Sequence, residues 1–251
     1  MVQFTRRNFV SSVGAAVIAP AAAVAIEPGS AAAAGADPAT PALDSPDAKT
    51  PYLFFNAAEA RFIEAACERL IPADESGPGA LGAGVPNYLD KQLGGAWGAG
   101  ERLYRSGPWQ PGTPSQGYQL PFTPAELFHA ALRAINQDLE KRGGPFADLP
   151  PEAQDDYLKS LEAGGADLDG VPSGVFFDML LKMTVEGFFS DPVYGGNRNM
   201  VAWRMIGFPG AYADYYEAID RHGVKFEREP MSLAEDGKGR VHVHENIPAS
   251  L

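Results

Sequence analysis

TVEGFFSDPVYGGNRNMVAWRMIGFPG, running from Thr184 to Gly210, decides how the chain is read. The stretch holds five glycines and two prolines, yet it also carries seven large hydrophobes: Phe188, Phe189, Tyr194, Met200, Trp203, Met205 and Phe208. A flexible linker would lack those side chains, since burying each stabilises by roughly 2 kcal/mol or more. An ordinary helix would not tolerate that density of glycine and proline. The combination predicts an ordered loop, pinned by aromatics and bent by residues that accept unusual φ/ψ.

Working outward, Ser173 begins the most hydrophobic helix, with Phe176, Phe177, Met179, Leu180, Leu181, Met183 and Val185. Apolar nearly all round, it is expected to be the central helix, delivering the chain into the loop. Ahead of it, the pattern predicts a helix from Asn56 to Ile71, with a capping box between Asn56 and Glu59 and a stop at Pro72. Short helices are expected over Asn87 to Leu93 and Gly100 to Ser106, then a long Pro/Gly loop from Gly107 to Pro121. Thr123-Pro124-Ala125-Glu126 starts a further helix that ends at Gly143-Gly144, and another covers Pro151 to Leu161. Beyond the loop, helices are expected over Asn199 to Ile206 and Tyr212 to Arg221. Residues 224–251 are charged and show no helical period, which predicts a disordered tail or an extended arm laid on a partner. The fold class is therefore mainly α: one irregular multi-helix domain over 54–223, with long Pro/Gly-rich loops and an extended tail.

The N-terminus carries a different message. Arg6-Arg7 stand before an apolar, alanine-rich run from Val13 to Ile26, the signature of a Tat export signal. With Pro20 inside it, the run is too short and too broken to span a membrane as a stable helix. Ala34-Gly35-Ala36 offers a cleavage site, so residues 1–36 are set apart as a signal peptide and 37–53 as a Pro/Ala/Asp leader. Tat moves folded cargo, which implies the Tat translocase as a partner and a periplasmic destination. A chain without a cofactor motif on that route is expected to travel with a folded partner that has one.

Charge narrows the partners. The full chain is at −12; removing two arginines and Glu27 with the signal leaves about −13. That excludes nucleic acid, which needs basic patches, and argues against direct binding to an anionic leaflet. A single cysteine, Cys67, excludes an internal disulfide. It reads either as a small buried hydrophobe or as the origin of a disulfide to a partner chain. The C-x-x-C-H run of covalent haem attachment is absent.

No known catalytic constellation is legible. There is no G-x-S-x-G, H-E-x-x-H, C-x-x-C or P-loop. Gly77-x-Gly79-x-x-Gly82 follows a helix instead of a strand and contains Pro78, so it fails as a dinucleotide fingerprint. Asp74 and Glu75 read as a solvated pair past a helix end, and His129 as a hydrogen-bonded structural residue. His242 and His244 have the spacing of two ligands on one side of a strand, without a recognisable third. Asp191, Asn197, Arg198 and Asn199 form the densest polar group, which reads either as a substrate site or as turn caps. Phe188, Phe189, Tyr194, Trp203 and Phe208 exceed what one small helical domain readily hides, which makes them candidate partner-interface residues.

Two segments, LIPADE…PGALGAGVPNYLD and GFFSDPVYGGN…AWRMIGFPG, resemble the small subunit (subunit 3) of the gluconate 2-dehydrogenase family. The resemblance covers about residues 54–223. It implies a non-catalytic subunit with no cofactor of its own. Its expected partners are an FAD-containing catalytic subunit of the glucose–methanol–choline type and a multihaem cytochrome c, in a complex held at the inner membrane. The small subunit would carry the export signal, escort the flavoprotein and stabilise it, and the reaction would be oxidation of D-gluconate to 2-keto-D-gluconate. Two other classes remain beside it: a free-standing helical binding or scaffold protein, and an enzyme using Asp191 and Arg198.

Overall fold

A computed structural model of the chain describes residues 51–110, 112–212, 215–216, 219–223 and 228–234. Arg6, Arg7, most of the leader, His242, His244 and most of the tail lie outside the described residues.

Six α-helices are formed among these residues: α1 (Ala57–Leu70), α2 (Val85–Leu93), α3 (Pro124–Arg142), α4 (Pro151–Glu162), α5 (Ser173–Phe189) and α6 (Val201–Ile206). The fold is mainly α. Helix starts follow local chemistry. Asn56 accepts from the backbone N–H groups of Ala58 and Glu59 while Glu59 accepts from the Asn56 N–H, both halves of a capping box. Thr123 and Glu126 repeat the arrangement at α3, with Pro124 at the first helical position. Burial and the backbone hydrogen bond to Thr123 act oppositely on the Glu126 carboxyl. The hydrogen bond is the larger effect and holds it below the usual range.

α5 is the hub, packing against each of the other five helices. Its buried side presents Phe176, Phe177, Leu180, Met183 and Phe188. Phe176 meets Phe128 of α3 at 5.3 Å between ring centroids, and Phe62 of α1 lies 4.9 Å from Phe146. Cys67 is fully buried where α1 crosses α5, its Sγ 3.5 Å from Thr184 Oγ1. Burial pushes that thiol up to about 12, opposed in part by the Thr184 contact.

α5 also corrects the expectation drawn from its last residues. The helix continues through Glu186-Gly187-Phe188 to Phe189, six residues into the stretch read as a loop. At Gly187 the ring of Tyr88 from α2 lies so close that a Cβ would stand 2.8 Å from it, which leaves room for glycine only.

Other differences are smaller. Residues 100–106 form a turn that runs into irregular chain instead of a helix. A two-residue antiparallel hairpin, β1 (Asp167–Leu168) with β2 (Val171–Pro172), precedes α5. It turns through Asp169-Gly170, both at positive φ, the Asp-Gly pair that suits such a turn. Tyr212 is not helical, and several of the residues expected to continue that helix lie outside the described residues. No helix among the described residues is long and apolar enough to cross a membrane.

Candidate partner surface and adjoining cleft

After α5 the chain is irregular but fully tied. Asp191 Oδ1 accepts from the Val193 N–H and caps a 3₁₀ turn over Pro192–Tyr194. Gly196 is buried against the end of α5, where a Cβ would collide with the carbonyl of Gly187. Asn197, completely buried, does most to set the loop's shape. Its amide donates to the Ser190 carbonyl at 2.9 Å and accepts from the Ala202 N–H at 2.9 Å. Asn197, Asn199 and Met200 all take left-handed backbone, which costs roughly 1 kcal/mol or more for each non-glycine residue. The Arg198 N–H, donating to the Ala83 carbonyl, ties this turn to the start of α2.

The five aromatics singled out from sequence separate by depth. Phe188 and Trp203 are buried, and Phe189 is half-buried. The Trp203 indole N–H donates to the Phe189 carbonyl at 2.9 Å. Tyr194 and Phe208 are exposed, at 50 % and 45 %, and Phe208 stands edge-on to Trp203 at 5.2 Å. Val193, Ile206 and Leu233, which residue type alone did not single out, are also exposed. Leu233 belongs here because the chain returns: Met231 pairs with Pro209 and Ala211, and the Leu233 N–H donates to Asp191 Oδ2 at 2.8 Å. Fixed backbone thus carries open apolar side chains, as a recognition surface requires.

The side chains of Asp191 and Asn197 are occupied by backbone groups. Both carboxylate oxygens of Asp191 accept backbone N–H groups, and the Arg198 guanidinium lies over Gly84, within 3.6 Å of where a Cβ would stand. The two make no ion pair. Elsewhere, His129 bonds Glu59 through Nδ1 at 2.9 Å and stacks on Phe54, and Asp74 caps its own turn by accepting from the Ser76 N–H. Among the described residues no group of three His, Cys, Asp or Glu side chains is placed to hold a metal ion.

The outer face of α5 lines a second feature. A cleft of about 890 Å³ lies between α5 and the Pro/Gly loop, with Trp97 and Trp109 at its walls and Asp178, Lys182 and Glu186 along the helix. The loop is held by the Tyr118 hydroxyl, which donates to the Phe122 carbonyl at 2.6 Å. Burial raises the Glu186 carboxyl above its ordinary range, while Lys182, 3.9 Å away, opposes the shift. The period-four spacing of these three polar residues was visible in the sequence, but the aromatic walls facing them were not.

The family model of gluconate 2-dehydrogenase subunit 3 matches residues 57–210, more than half of the chain. The chain belongs to the gluconate 2-dehydrogenase subunit 3 family. The match opens at the first residue of α1 and closes at Gly210, so it takes in the six helices and the loop that follows α5. No curated protein and no solved structure matches the chain. As a family named for one subunit of a larger dehydrogenase, gluconate 2-dehydrogenase subunit 3 accords with open apolar side chains on a rigid loop.

Proposed function

We propose that this chain is the non-catalytic small subunit of a periplasmic gluconate 2-dehydrogenase complex. In this reading it is exported by Tat together with an FAD-containing catalytic subunit, which it stabilises, and a multihaem cytochrome c completes the complex at the inner membrane. The flavin and haem belong to the partners, and the partner chain oxidises D-gluconate to 2-keto-D-gluconate. The observation that carries the reading is the exposed set Val193, Tyr194, Ile206, Phe208 and Leu233 on a backbone fixed by Asn197 and Asp191. A free-standing protein gains nothing from holding these groups in water, whereas a partner surface buries them. The twin arginines Arg6-Arg7 supply the export half of the proposal.

The test is co-purification from gently solubilised membranes with a C-terminal tag, followed by an absorption spectrum. Flavin and c-haem bands with a large second chain, bleached by gluconate, are the expected result. A colourless single chain would overturn the proposal. Tyr194→Glu with Phe208→Glu should abolish co-purification while lowering the melting of the isolated chain only slightly, since about half of each side chain already faces water and only the Phe208 contact with Trp203 is lost.

A further inference from the structure

The cleft beside α5 is independent of the loop surface, and its lining is specific. Trp97 and Trp109 stand at its walls with 40 % and 37 % of their surface exposed, which leaves indole area open to a ligand. Asp178, Lys182 and Glu186 follow one another at four-residue steps, so that acceptor, donor and acceptor alternate about 6 Å apart along the helix. The volume, about 890 Å³, falls in the range of small-molecule sites.

The chemistry of the lining selects the ligand. An anion would face two carboxylates against one ammonium. A cation would meet Lys182 in the middle of the strip. A hydrocarbon would match the apolar lining of Leu120, Pro121, Val175 and Met179 but leave the strip of three charged groups without a partner. A neutral polyhydroxylated ring meets none of these penalties. Each hydroxyl both donates and accepts, so carboxylate and ammonium are equally served, and the ring's C–H face packs on indole.

We propose that the cleft between α5 and the 107–121 loop binds a neutral sugar ring, stacked on Trp97 or Trp109 and hydrogen-bonded to Asp178, Lys182 and Glu186. Two sources share that chemistry: a free monosaccharide, or one unit of an oligosaccharide chain.

The experiment uses the mature full chain and saturation-transfer NMR on the sugar protons, with D-glucose, maltotriose and sodium gluconate as probes. Saturable D-glucose binding with a Kd on the order of 1 mM is expected for so small a ligand, with gluconate weaker because of its charge. Maltotriose binding at least tenfold tighter than glucose would assign the site to a chain; equal affinities would assign it to the free sugar. One of Trp97→Ala and Trp109→Ala, whichever indole the ring stacks on, should weaken binding about tenfold or more. Asp178→Asn with Glu186→Gln, which leaves the aromatic walls intact, should do the same in a chain that melts no lower than the native one. No saturable binding to the native chain overturns the proposal, as does binding that survives loss of both indoles or gluconate binding tighter than glucose. If no sugar binds and the two indoles become shielded only in the assembled complex, the cleft is a protein-docking groove and the sugar site is refuted. None of these outcomes depends on whether a flavoprotein co-purifies.

Discussion

Asn197 concentrates the loop's cost and its remedy in one residue. Its backbone is left-handed at φ 44°, and its buried amide satisfies one acceptor, the Ser190 carbonyl, and one donor, the Ala202 N–H. Asn197→Ala leaves the Ser190 carbonyl and the Ala202 N–H without that partner and retains a Cβ in left-handed backbone. The expected loss is about 3 kcal/mol by urea unfolding. Asn197→Gly makes the same two groups orphans but removes the backbone penalty, so it should be milder by about 1 kcal/mol. Equal losses would mean that the conformation carries no cost. Asp191 works in the same manner, one oxygen on its own turn and the other on the returning chain at Leu233. Residue type showed both to be turn-formers, but not that Asn197 would be buried, because burial depends on α5 lying beneath it.

At the scale of the element, α5 decides the arrangement of its neighbours, and Gly187 tests how. Alanine is worth about 1 kcal/mol more than glycine inside a helix. Here the added methyl would press on the Tyr88 ring, an overpacking that typically costs 1–3 kcal/mol. Gly187→Ala is therefore expected to destabilise on balance in a thermal melt. In a Tyr88→Ala background the same substitution should become stabilising. The outward face of α5 carries a pH signature. Glu186 has its folded carboxyl raised, first by burial, so the unfolded chain releases that proton at lower pH than the folded one. Stability from this group is complete below the unfolded pKa and falls as pH rises through the folded one. Glu186→Gln should flatten that decline and raise the melting temperature at neutral pH, by a small amount because the side chain is half exposed and paired to Lys182. Unchanged pH curves for native and variant chains would contradict the burial of this carboxyl.

For the molecule as a whole, the core is built by the helices from α1 to α5 with Ala202 of α6, and the returning segment lies outside that cluster. Ending the chain after Gly223 removes the pairing of Met231 with Pro209 and Ala211 and the Leu233 contact to Asp191. Loss of these hydrogen bonds, worth about 1 kcal/mol each, and of the buried Pro230 and Ser232 should lower the melting temperature by several degrees while the transition stays single and cooperative. A broad or two-step melt would show that the segment holds the core together. The truncation also removes Leu233, one of the exposed apolar side chains, and its tie to Asp191, so it should also weaken co-purification of a partner.

Local chemistry in the sequence determined where α1 and α3 begin, because a capping box and an N1 proline act within four residues. It determined the mainly α class and the central place of α5, because a helix with that many large apolar side chains has to bury most of its surface, though the face of Asp178, Lys182 and Glu186 stays open. It also pointed to an ordered, aromatic-rich segment after that helix. Tertiary structure decided where helix gives way to loop: α5 runs on to Phe189, and Tyr88 packs so close to Gly187 that a side chain there would collide with its ring. It decided that Phe188 and Trp203 sink while Tyr194 and Phe208 stay out, since depth depends on which element lies underneath. The cleft likewise needed the fold, since its helix strip and its aromatic walls are far apart in sequence and meet only when the 107–121 loop packs beside α5.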